Sequence, residues 1–184
     1  MSAGPQQNPS VVIRPAIASD VPAITEIYND AIRTTTATFD TETKTVAEQR
    51  KWFAAHGPRH PVLVAEIADK VVGWAALSPW SGRCAYADTA ETSFYVAPAY
   101  RKQGIGRQLK RATIEAARAV GLHTLLARVA EGSGASLHLN REFGFREVGV
   151  MREVGRKFGR RLNVHLLQLM LDDDAAEDAG RSSE

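Results

Sequence analysis

The stretch of sequence that decides the fold reads Arg101-Lys102-Gln103-Gly104-Ile105-Gly106. It follows a short apolar run, Ser93-Phe94-Tyr95-Val96, and opens a segment of helical periodicity that begins near Ile105. A strand that leads through a glycine-rich turn into a helix leaves several backbone N–H groups without intrahelical partners, with the positive end of the helix dipole behind them. Glycine at positions 104 and 106 lets an anion approach the backbone. The pattern predicts a pyrophosphate-binding turn, although by itself it also fits a tight turn that binds nothing.

Two common nucleotide-binding patterns do not occur in this stretch. There is no GxxxxGK[ST] sequence for a triphosphate, and Leu109 occupies the place of the third glycine of a dinucleotide GxGxxG. Arg101, Lys102 and Arg107 add positive charge around the turn. We therefore expect a different pyrophosphate-containing ligand.

Two segments together resemble the acetyl-coenzyme A signature of the GNAT acetyltransferase superfamily. One is Arg-x-x-Gly-x-Gly after the strand that ends Tyr95-Val96-Ala97-Pro98, and the other is the segment of residues 136–145, SLHLNREFGF. Further stretches are similar to the phosphinothricin N-acetyltransferase and methionine sulfoximine acetyltransferase-like branch: residues 27–29, 36–42, 52–53, 80–86, 89–91 and 154–159. The resemblance extends from about Val12 to Leu171.

This resemblance implies the GNAT acyl-CoA N-acyltransferase fold of the α/β (α+β) class. Its sheet is mixed, mostly antiparallel and six- or seven-stranded, with helices on both faces. The periodicity along the chain agrees, since it predicts a hairpin of residues 62–67 and 71–77, a helix capped by Ser19, and helices over about 45–56, 104–120 and 134–143. Two long final strands are expected near 146–156 and 161–171. We expect one domain over residues 11–171, with flexible tails at 1–10 and 172–184.

Composition and charge exclude several classes of function. The chain of 184 residues is 44% hydrophobic and 24% charged, which is typical of a globular protein with one core. A net charge of +2 is too mild to indicate a nucleic-acid partner. Cys84 is the single cysteine and the five histidines lack ligand-like spacing, so we expect no disulfide and no metal. We expect a cytoplasmic protein without a membrane partner, because no apolar leader or bilayer-length apolar stretch occurs.

Transfer of an acetyl group from a thioester to an amine requires alignment of the reactants, removal of a proton from an ammonium group and stabilisation of an oxyanion. The resemblance implies acetyl-CoA as the co-substrate and Glu91, in Thr89-Ala90-Glu91, as the general base. The residues alone also allow a solvated carboxylate at the start of a strand. Asn140 stands where the superfamily often has a tyrosine acid and this branch a histidine. Its amide is expected either to donate a hydrogen bond to the CoA sulfur or to be a polar residue of the helix surface.

The resemblance also implies which residues bind the cofactor. Backbone groups of the strand bind the pantetheine arm, the glycine-rich turn binds the pyrophosphate, and the next helix completes the site. The residues are Phe94, Tyr95, Val96, Arg101, Lys102, Gln103, Gly104, Ile105, Gly106, Arg107, Ser133, Ser136 and Asn140.

The resembled branch acetylates the α-amino group of small amino-acid analogues such as phosphinothricin and methionine sulfoximine. The corresponding acceptor residues are Thr36, Phe39, Trp80, Arg83 and Tyr86, with Arg83 as the partner of a carboxylate or phosphinate. A solvated arginine and core aromatic residues fit the sequence equally well. Lys157 and Phe158 are expected to face the substrate or a second subunit, and the resemblance implies a homodimer.

Three functions are compatible with these observations. The first is an acetyl-CoA-dependent N-acetyltransferase of a small amino acid or its analogue. The second is an acetyltransferase of the same fold that acts on a protein N-terminus, a polyamine or an aminoglycoside. The third is a CoA-binding sensor without catalysis, which the asparagine at position 140 makes conceivable and the glutamate at position 91 disfavours.

Overall fold

The computed structural model describes residues 10–171, so the predicted tails lie outside the described residues except for Ser10. In this part of the chain seven strands and four α-helices alternate with three short 3-10 turns. The elements are β1 Val12–Pro15, α1 Val21–Thr34, α2 Val46–Ala54, β2 Val62–Ile67, β3 Lys70–Pro79, β4 Thr89–Val96, α3 Ile105–Ala119, β5 Thr124–Ala130, α4 Gly134–Glu142, β6 Arg146–Lys157 and β7 Arg160–Met170.

The strands form one sheet in the order β1-β2-β3-β4-β5-β7-β6. Every neighbouring pair is antiparallel except β4 and β5, which are parallel. The predicted mixed, mostly antiparallel sheet is therefore confirmed, with seven strands. The predicted hairpin is β2 and β3, joined at Ile67 and Lys70.

Side chains of β3 alternate between the two faces of the sheet and so define two apolar layers. Trp74 and Ala76 pack with Ile24 and Ile27 of α1. Ala75 packs on the opposite face with Ile105 and Leu109 of α3. Leu137 and Phe143, from α4 and the residue after it, pack on a third cluster that includes Leu77 of β3 and Ile114 of α3. The predicted helices on both faces are confirmed.

Two predicted helix boundaries are wrong for local reasons. The expected cap at Ser19 lies inside a 3-10 turn, Ala18–Asp20, and α1 begins at Val21. The start of α2 is as predicted, because Thr45 and Glu48 form a capping box. Its end falls at Ala54 rather than His56, and the His56 ring instead turns back to bond the carbonyl of Trp52.

Candidate active site

The parallel strands β4 and β5 separate soon after they begin. They pair only between residues 89–91 and 124–126, with Glu91 opposite Leu126 as the last pair in the described structure. The bond from Ala97 N to Val72 O (2.8 Å) fixes the alternation along β4, so odd-numbered residues exchange hydrogen bonds with β3. The backbone groups of Thr92, Phe94 and Val96 therefore point toward the gap beside β5. An extended ligand can bind to these backbone groups as an added strand does. The Val96 carbonyl is an exception, because it already accepts a hydrogen bond from Arg101 Nε (3.0 Å).

The amino terminus of α3 opens beside this gap. Gly104 caps the helix with φ +78°, a left-handed conformation that favours glycine, and a Cβ there would meet no atom within 4 Å. The helical hydrogen-bond ladder begins with Gln108 N to Gly104 O (3.1 Å). Backbone amides of residues 104–107 consequently precede the ladder, at the place where the sequence predicts a pyrophosphate cradle.

Three of the side chains around the predicted cradle already have partners within the protein. Arg101 Nη2 lies 3.4 Å from Asp30 Oδ2, Gln103 Nε2 donates to the Ala99 carbonyl (3.1 Å), and Arg107 pairs with Glu142. Lys102 is exposed and adopts φ +62°. Because exposed ion pairs contribute only ~0–1 kcal/mol, these groups can exchange their partners for an anion at low cost. The backbone amides are the fixed part of the cradle.

The helix α4 carries Ser136 and Asn140 of the predicted cofactor segment. Ser133 precedes its first residue, and Asn140 Nδ2 donates to the carbonyl of Ser136 (2.8 Å). A carbonyl only accepts, so the amide orientation is fixed and the Asn140 oxygen is the atom left over. The second hydrogen of Nδ2 has only a long contact with Ser136 Oγ (3.5 Å), so the expected hydrogen bond from the amide to the CoA sulfur stays a prediction.

Two buried polar atoms indicate where a ligand fits. Asn140 Oδ1 and Thr92 Oγ1 are buried and have no hydrogen-bond partner among residues 10–171. Thr92 precedes Phe94 on the side of β4 that faces α3, where the backbone gap opens. Buried polar atoms are rarely left unpaired in a folded protein, so these two are suited to a polar ligand such as a pantetheine arm.

Glu91 lies at the point where the two strands separate. Its carboxylate accepts two hydrogen bonds from Arg128 of β5, Nε to Oε1 (2.7 Å) and Nη2 to Oε2 (2.5 Å). The Glu91 side chain is 20% exposed and that of Arg128 53%. The carboxylate raises the pKa of the Arg128 guanidinium, and the bidentate geometry fixes its direction. Trp80 lies against the same guanidinium, with its ring centre 5.7 Å from Cζ.

A cavity of about 400 Å³ lies on the face of the sheet that carries Glu91. Its serines flank the carboxylate, since Ser78 is opposite Glu91 in the β3–β4 register and Ser93 follows two residues along β4. Aromatic rings, charged side chains and one amide complete the wall: Tyr28, Asp40, Lys44, Glu48, Gln49, Trp52, Trp74 and Tyr95. Tyr28 donates to Asp40 Oδ2 (2.8 Å), and burial raises the pKa of Tyr28 to about 12. The aromatic rings and the polar side chains of the wall together suit a small polar ligand with an apolar part.

The predicted acceptor residues lie on two loops rather than in this cavity wall. Thr36 Oγ1 donates to the carbonyl of Glu131 (3.2 Å), and Phe39 is half-exposed against β6. Trp80 lies at the Arg128 guanidinium. Arg83 and Tyr86 are exposed on the loop between β3 and β4.

The terminal hairpin anchors the loop that carries Thr36 and Phe39. Lys157 Nζ donates to the carbonyl of Thr38 (2.7 Å) and is buried, so the expectation that it faces the substrate or a second subunit is wrong. Gly155 lies under the Phe39 ring, where a Cβ would come within 2.1 Å of Cε2. Phe158 is exposed at the turn, with φ +50°. The hairpin thus fixes the position of the loop from one side.

Sequence reasoning did not identify Arg128, Ser78 or His56. Arg128 lies on β5, and its contact with Glu91 depends on the β4–β5 register. Ser78 lies one residue beyond the predicted strand of residues 71–77, and it is opposite Glu91 only through the β3–β4 pairing. His56 gives no sequence signal, because its position depends on how α2 ends.

Within the described residues, no group of His, Cys, Asp and Glu is arranged to hold a metal ion, and no helix is long and apolar enough to cross a bilayer. A sheet that opens between two parallel strands, beside a glycine-led helix terminus and a carboxylate, defines an acyl-coenzyme A-dependent transferase. Residues 24–145 match the model of the Acetyltransferase (GNAT) family, and the chain belongs to that family. It is an acetyl-CoA-dependent N-acetyltransferase, as the sequence resemblance implied.

Named relatives cover nearly the whole chain. An L-methionine sulfoximine/L-methionine sulfone acetyltransferase of Pseudomonas paraeruginosa is 41% identical over 89% of this chain and 96% of its own length. A phosphinothricin N-acetyltransferase of Streptomyces coelicolor is 40% identical over 82% of this chain and 90% of its own. The crystal structure of a GNAT phosphinothricin acetyltransferase from Sinorhizobium meliloti in complex with acetyl-CoA superposes with a TM-score of 0.84, at 30% identity, over 87% of this chain and 88% of that one. The predicted branch of the family is therefore confirmed.

Proposed function

We propose that this enzyme moves the acetyl group of acetyl-CoA to the α-amino group of a small amino-acid analogue of the phosphinothricin or methionine sulfoximine/sulfone type. The observation that carries the proposal is the position of Glu91. Its strand forms one edge of the cofactor gap, and its side chain projects on the face of the cavity. A carboxylate placed between the two reactants is where a proton acceptor is needed. The names of the relatives support the substrate class.

In this proposal Glu91 is the general base that removes a proton from the acceptor ammonium. Arg128 holds the carboxylate through two hydrogen bonds, so that its remaining lone pairs keep one direction. Backbone N–H groups of β4 that face the gap donate to the oxyanion of the tetrahedral intermediate. The Glu91 side chain projects from one face of the sheet, whereas these N–H groups lie in its plane and point into the gap. Both belong to β4, so the strand fixes the distance between them.

Acetyl-CoA supplies an activated acetyl thioester. Residues 104–107 would hold its pyrophosphate with their backbone amides, and Thr92 and Asn140 would bond the arm through their unpaired oxygens. Asn140 gives no proton to the departing sulfur, because an amide N–H donates hydrogen bonds but does not ionise near neutral pH. A thiol is acidic enough for its thiolate to leave without a side-chain acid.

Acceptor binding is proposed to use the cavity and the two loops beside it. A volume of about 400 Å³ is within the range for small ligands. Lys44 and Asp40 form an ion pair in the cavity wall, with Nζ 3.1 Å from Oδ2. In the proposal, Lys44 turns to a carboxylate or phosphinate of the ligand, and Asp40 and Glu48 bind its ammonium group. Thr36, Phe39, Trp80, Arg83 and Tyr86 remain the proposed contacts from the loops, with Arg83 as a second partner of the carboxylate or phosphinate.

A homodimer is part of the proposal, as is a cytoplasmic location. The strand β6 and the turn that follows it expose a row of large apolar side chains: Val148, Val150, Met151, Val154 and Phe158. A contiguous exposed apolar patch of this kind is typical of a subunit contact. Val154→Asp places a charge in the row, and sedimentation analysis should then show a monomer where the unaltered protein is a dimer. An unaltered dimer in the variant would exclude this surface as the contact.

The function is tested by following thiol release from acetyl-CoA with a panel of acceptors. The panel comprises phosphinothricin, methionine sulfoximine, methionine sulfone, ordinary amino acids, spermidine and an aminoglycoside. We expect turnover with the first three only. Turnover confined to spermidine or the aminoglycoside would overturn the proposed substrate class, and binding of acetyl-CoA without turnover on any amine would indicate a sensor.

A further inference from the structure

His56 and Ser78 form a hydrogen-bonded pair at the edge of the cavity. His56 Nδ1 lies 2.8 Å from the carbonyl oxygen of Trp52, and its Nε2 lies 3.3 Å from Ser78 Oγ. The Trp52 carbonyl can only accept, so Nδ1 carries the proton of the neutral ring. Nε2 is then a bare lone pair that accepts a hydrogen bond from the Ser78 hydroxyl.

Ser78, the hydrogen-bond partner of His56, is also the neighbour of Glu91 in the sheet. Ser78 and Glu91 are partners in the antiparallel β3–β4 register, and they belong to the hydrogen-bonded class of pairs, with Cα atoms about 5.5 Å apart. Their side chains project from the same face of the sheet as neighbours. Ser78 also lines the cavity. The order Glu91, Ser78, His56 therefore runs from the proposed base along the cavity wall to the end of α2.

Two contacts and one helix end surround the His56 ring. The Trp52 carbonyl accepts the Nδ1 proton, and the ring centres of Trp52 and His56 are 4.4 Å apart. The carboxyl end of α2 precedes His56.

The titratable and charged groups that face His56 come from its own loop and from the cavity. Burial, the neighbouring His56 and Arg59 lower the pKa of His60. Arg59, the other cation of this loop, is paired with Asp88. The groups across the cavity and the adjacent strand are Asp40, Lys44, Glu48 and Glu91.

We propose that the proton removed from the acceptor amine at Glu91 passes through the Ser78 hydroxyl to His56 Nε2. The ammonium N–H bond breaks, the Glu91 carboxylate takes that proton and passes it to Ser78 Oγ, and the original Ser78 proton moves to His56, which becomes an imidazolium ion. Carboxylates titrate near pH ~4 and imidazoles near ~6.5, so histidine is the better final acceptor for an amine proton at neutral pH. The inference rests on the proposed function, since it follows the proton that acetyl transfer releases.

His56→Ala and Ser78→Ala test this relay at saturating acetyl-CoA. We expect kcat to fall by about tenfold to 10²-fold in each, with unchanged KM for the acceptor. The double variant should lose little more than either single one, because the two residues act in series. Added imidazole should restore turnover in His56→Ala, which a purely structural role for the ring would not allow. Retained kcat in His56→Ala, or a loss that imidazole does not change, would overturn the relay.

Ser93→Ala is the matched control, because Ser93 lines the same cavity from β4 and the described structure shows no hydrogen bond between it and His56. Its turnover should not respond to imidazole. The nitrogen-15 resonances of His56 give a readout without turnover, and should show a neutral ring protonated at Nδ1 whose Nε2 signal shifts in Ser78→Ala. If the unaltered enzyme turns over and Glu91→Gln does not, while His56→Ala is normal, the relay fails and the proposed function stands.

Discussion

Arg128 donates two hydrogen bonds to the Glu91 carboxylate, from Nε to Oε1 (2.7 Å) and from Nη2 to Oε2 (2.5 Å). These bonds connect β4 and β5 next to their last paired residues. Glu91 is opposite Leu126, and Arg128 follows two residues later on the same face of β5. The ion pair therefore spans the point where the sheet opens. It fixes the carboxylate at the boundary between the cofactor gap and the cavity.

Replacing Arg128 should impair catalysis without impairing cofactor binding. In Arg128→Gln the carboxylate loses its bidentate partner and its fixed direction, and we expect kcat to fall by about tenfold to 10²-fold. The affinity for acetyl-CoA, measured by calorimetry, should not change. Arg161→Gln removes an exposed pair with Glu153 and is the control. Normal kcat in Arg128→Gln would show that Glu91 needs no such partner.

The glycine at the start of α3 can be tested against a second glycine of the same helix. Gly104 and Gly121 have φ values of +78° and +71°, and a Cβ at either would meet no atom within 4 Å. Alanine should cost about 1–2 kcal/mol of stability at both positions, because both backbones are left-handed. Only Gly104→Ala should weaken acetyl-CoA binding, by about tenfold or ~1.4 kcal/mol. Equal affinities in the two variants would mean that the cradle does not hold the pyrophosphate.

Gly155→Ala should displace Phe39 from the surface of β6. The added methyl group would lie 2.1 Å from Phe39 Cε2, so the ring and its loop must move. We expect the KM of the acceptor to rise by about tenfold, since small displacements of positioning groups are costly. The affinity for acetyl-CoA should stay the same.

Gly149→Ala is the control for that variant, because it lies on the same strand with no atom within 4 Å of the new methyl group. Its acceptor KM should equal that of the unaltered enzyme. An unchanged KM in Gly155→Ala as well would remove the loop of Phe39 from the acceptor site.

Acid should weaken the anchor between β1 and α1. Asp20 is buried and accepts hydrogen bonds from Arg14 Nη1 (2.7 Å), Arg14 Nη2 (3.0 Å) and the backbone N–H of Ile17 (2.8 Å). The Arg14 bonds hold the pKa of Asp20 below its ordinary value. A carboxyl whose folded pKa is lowered adds stability above its unfolded pKa of ~3.9, and that stability is lost as pH falls through the folded value.

Asp20→Asn should therefore lower the free energy of unfolding at neutral pH by about 1.5–3 kcal/mol, as expected for hydrogen bonds to charged groups. In urea titrations the difference from the unaltered protein should persist down to about pH 5 and shrink below about pH 4. Asp88→Asn, which breaks an exposed pair with Arg59, should cost no more than about 1 kcal/mol. A difference in Asp20→Asn that grows in acid would contradict this account.

The sequence predicts the elements of this fold well, because each long element has a clear period and a recognisable end. The stripe of α3, the capping box at Thr45 and the short turn between β2 and β3 are local signals. The glycine-rich turn is likewise a local signal, and it leads into α3 as expected, whereas the roles of this turn and of Glu91 stay predictions.

The partners of these residues could not be predicted, because they depend on register and on small energy differences. Arg128 meets Glu91 only through strand pairing between residues far apart in the chain. Arg107 carries a charge suited to pyrophosphate, but it pairs with Glu142. The free energies of alternative ion pairs of an exposed guanidinium differ by less than ~1 kcal/mol, so the sequence does not show which one forms. The orientation of Asn140 is decided by one carbonyl of its own helix.

The central claim is that Glu91 takes the proton from the acceptor amine, and Glu91→Gln tests it most directly. Thiol release from acetyl-CoA should be measured with methionine sulfoximine across the neutral and alkaline range, together with the affinity for acetyl-CoA. We predict that kcat/KM falls by about 10²- to 10⁴-fold, the usual contribution of a general base, while cofactor affinity stays unchanged. Turnover of Glu91→Gln at the rate of the unaltered enzyme throughout that range would contradict the claim.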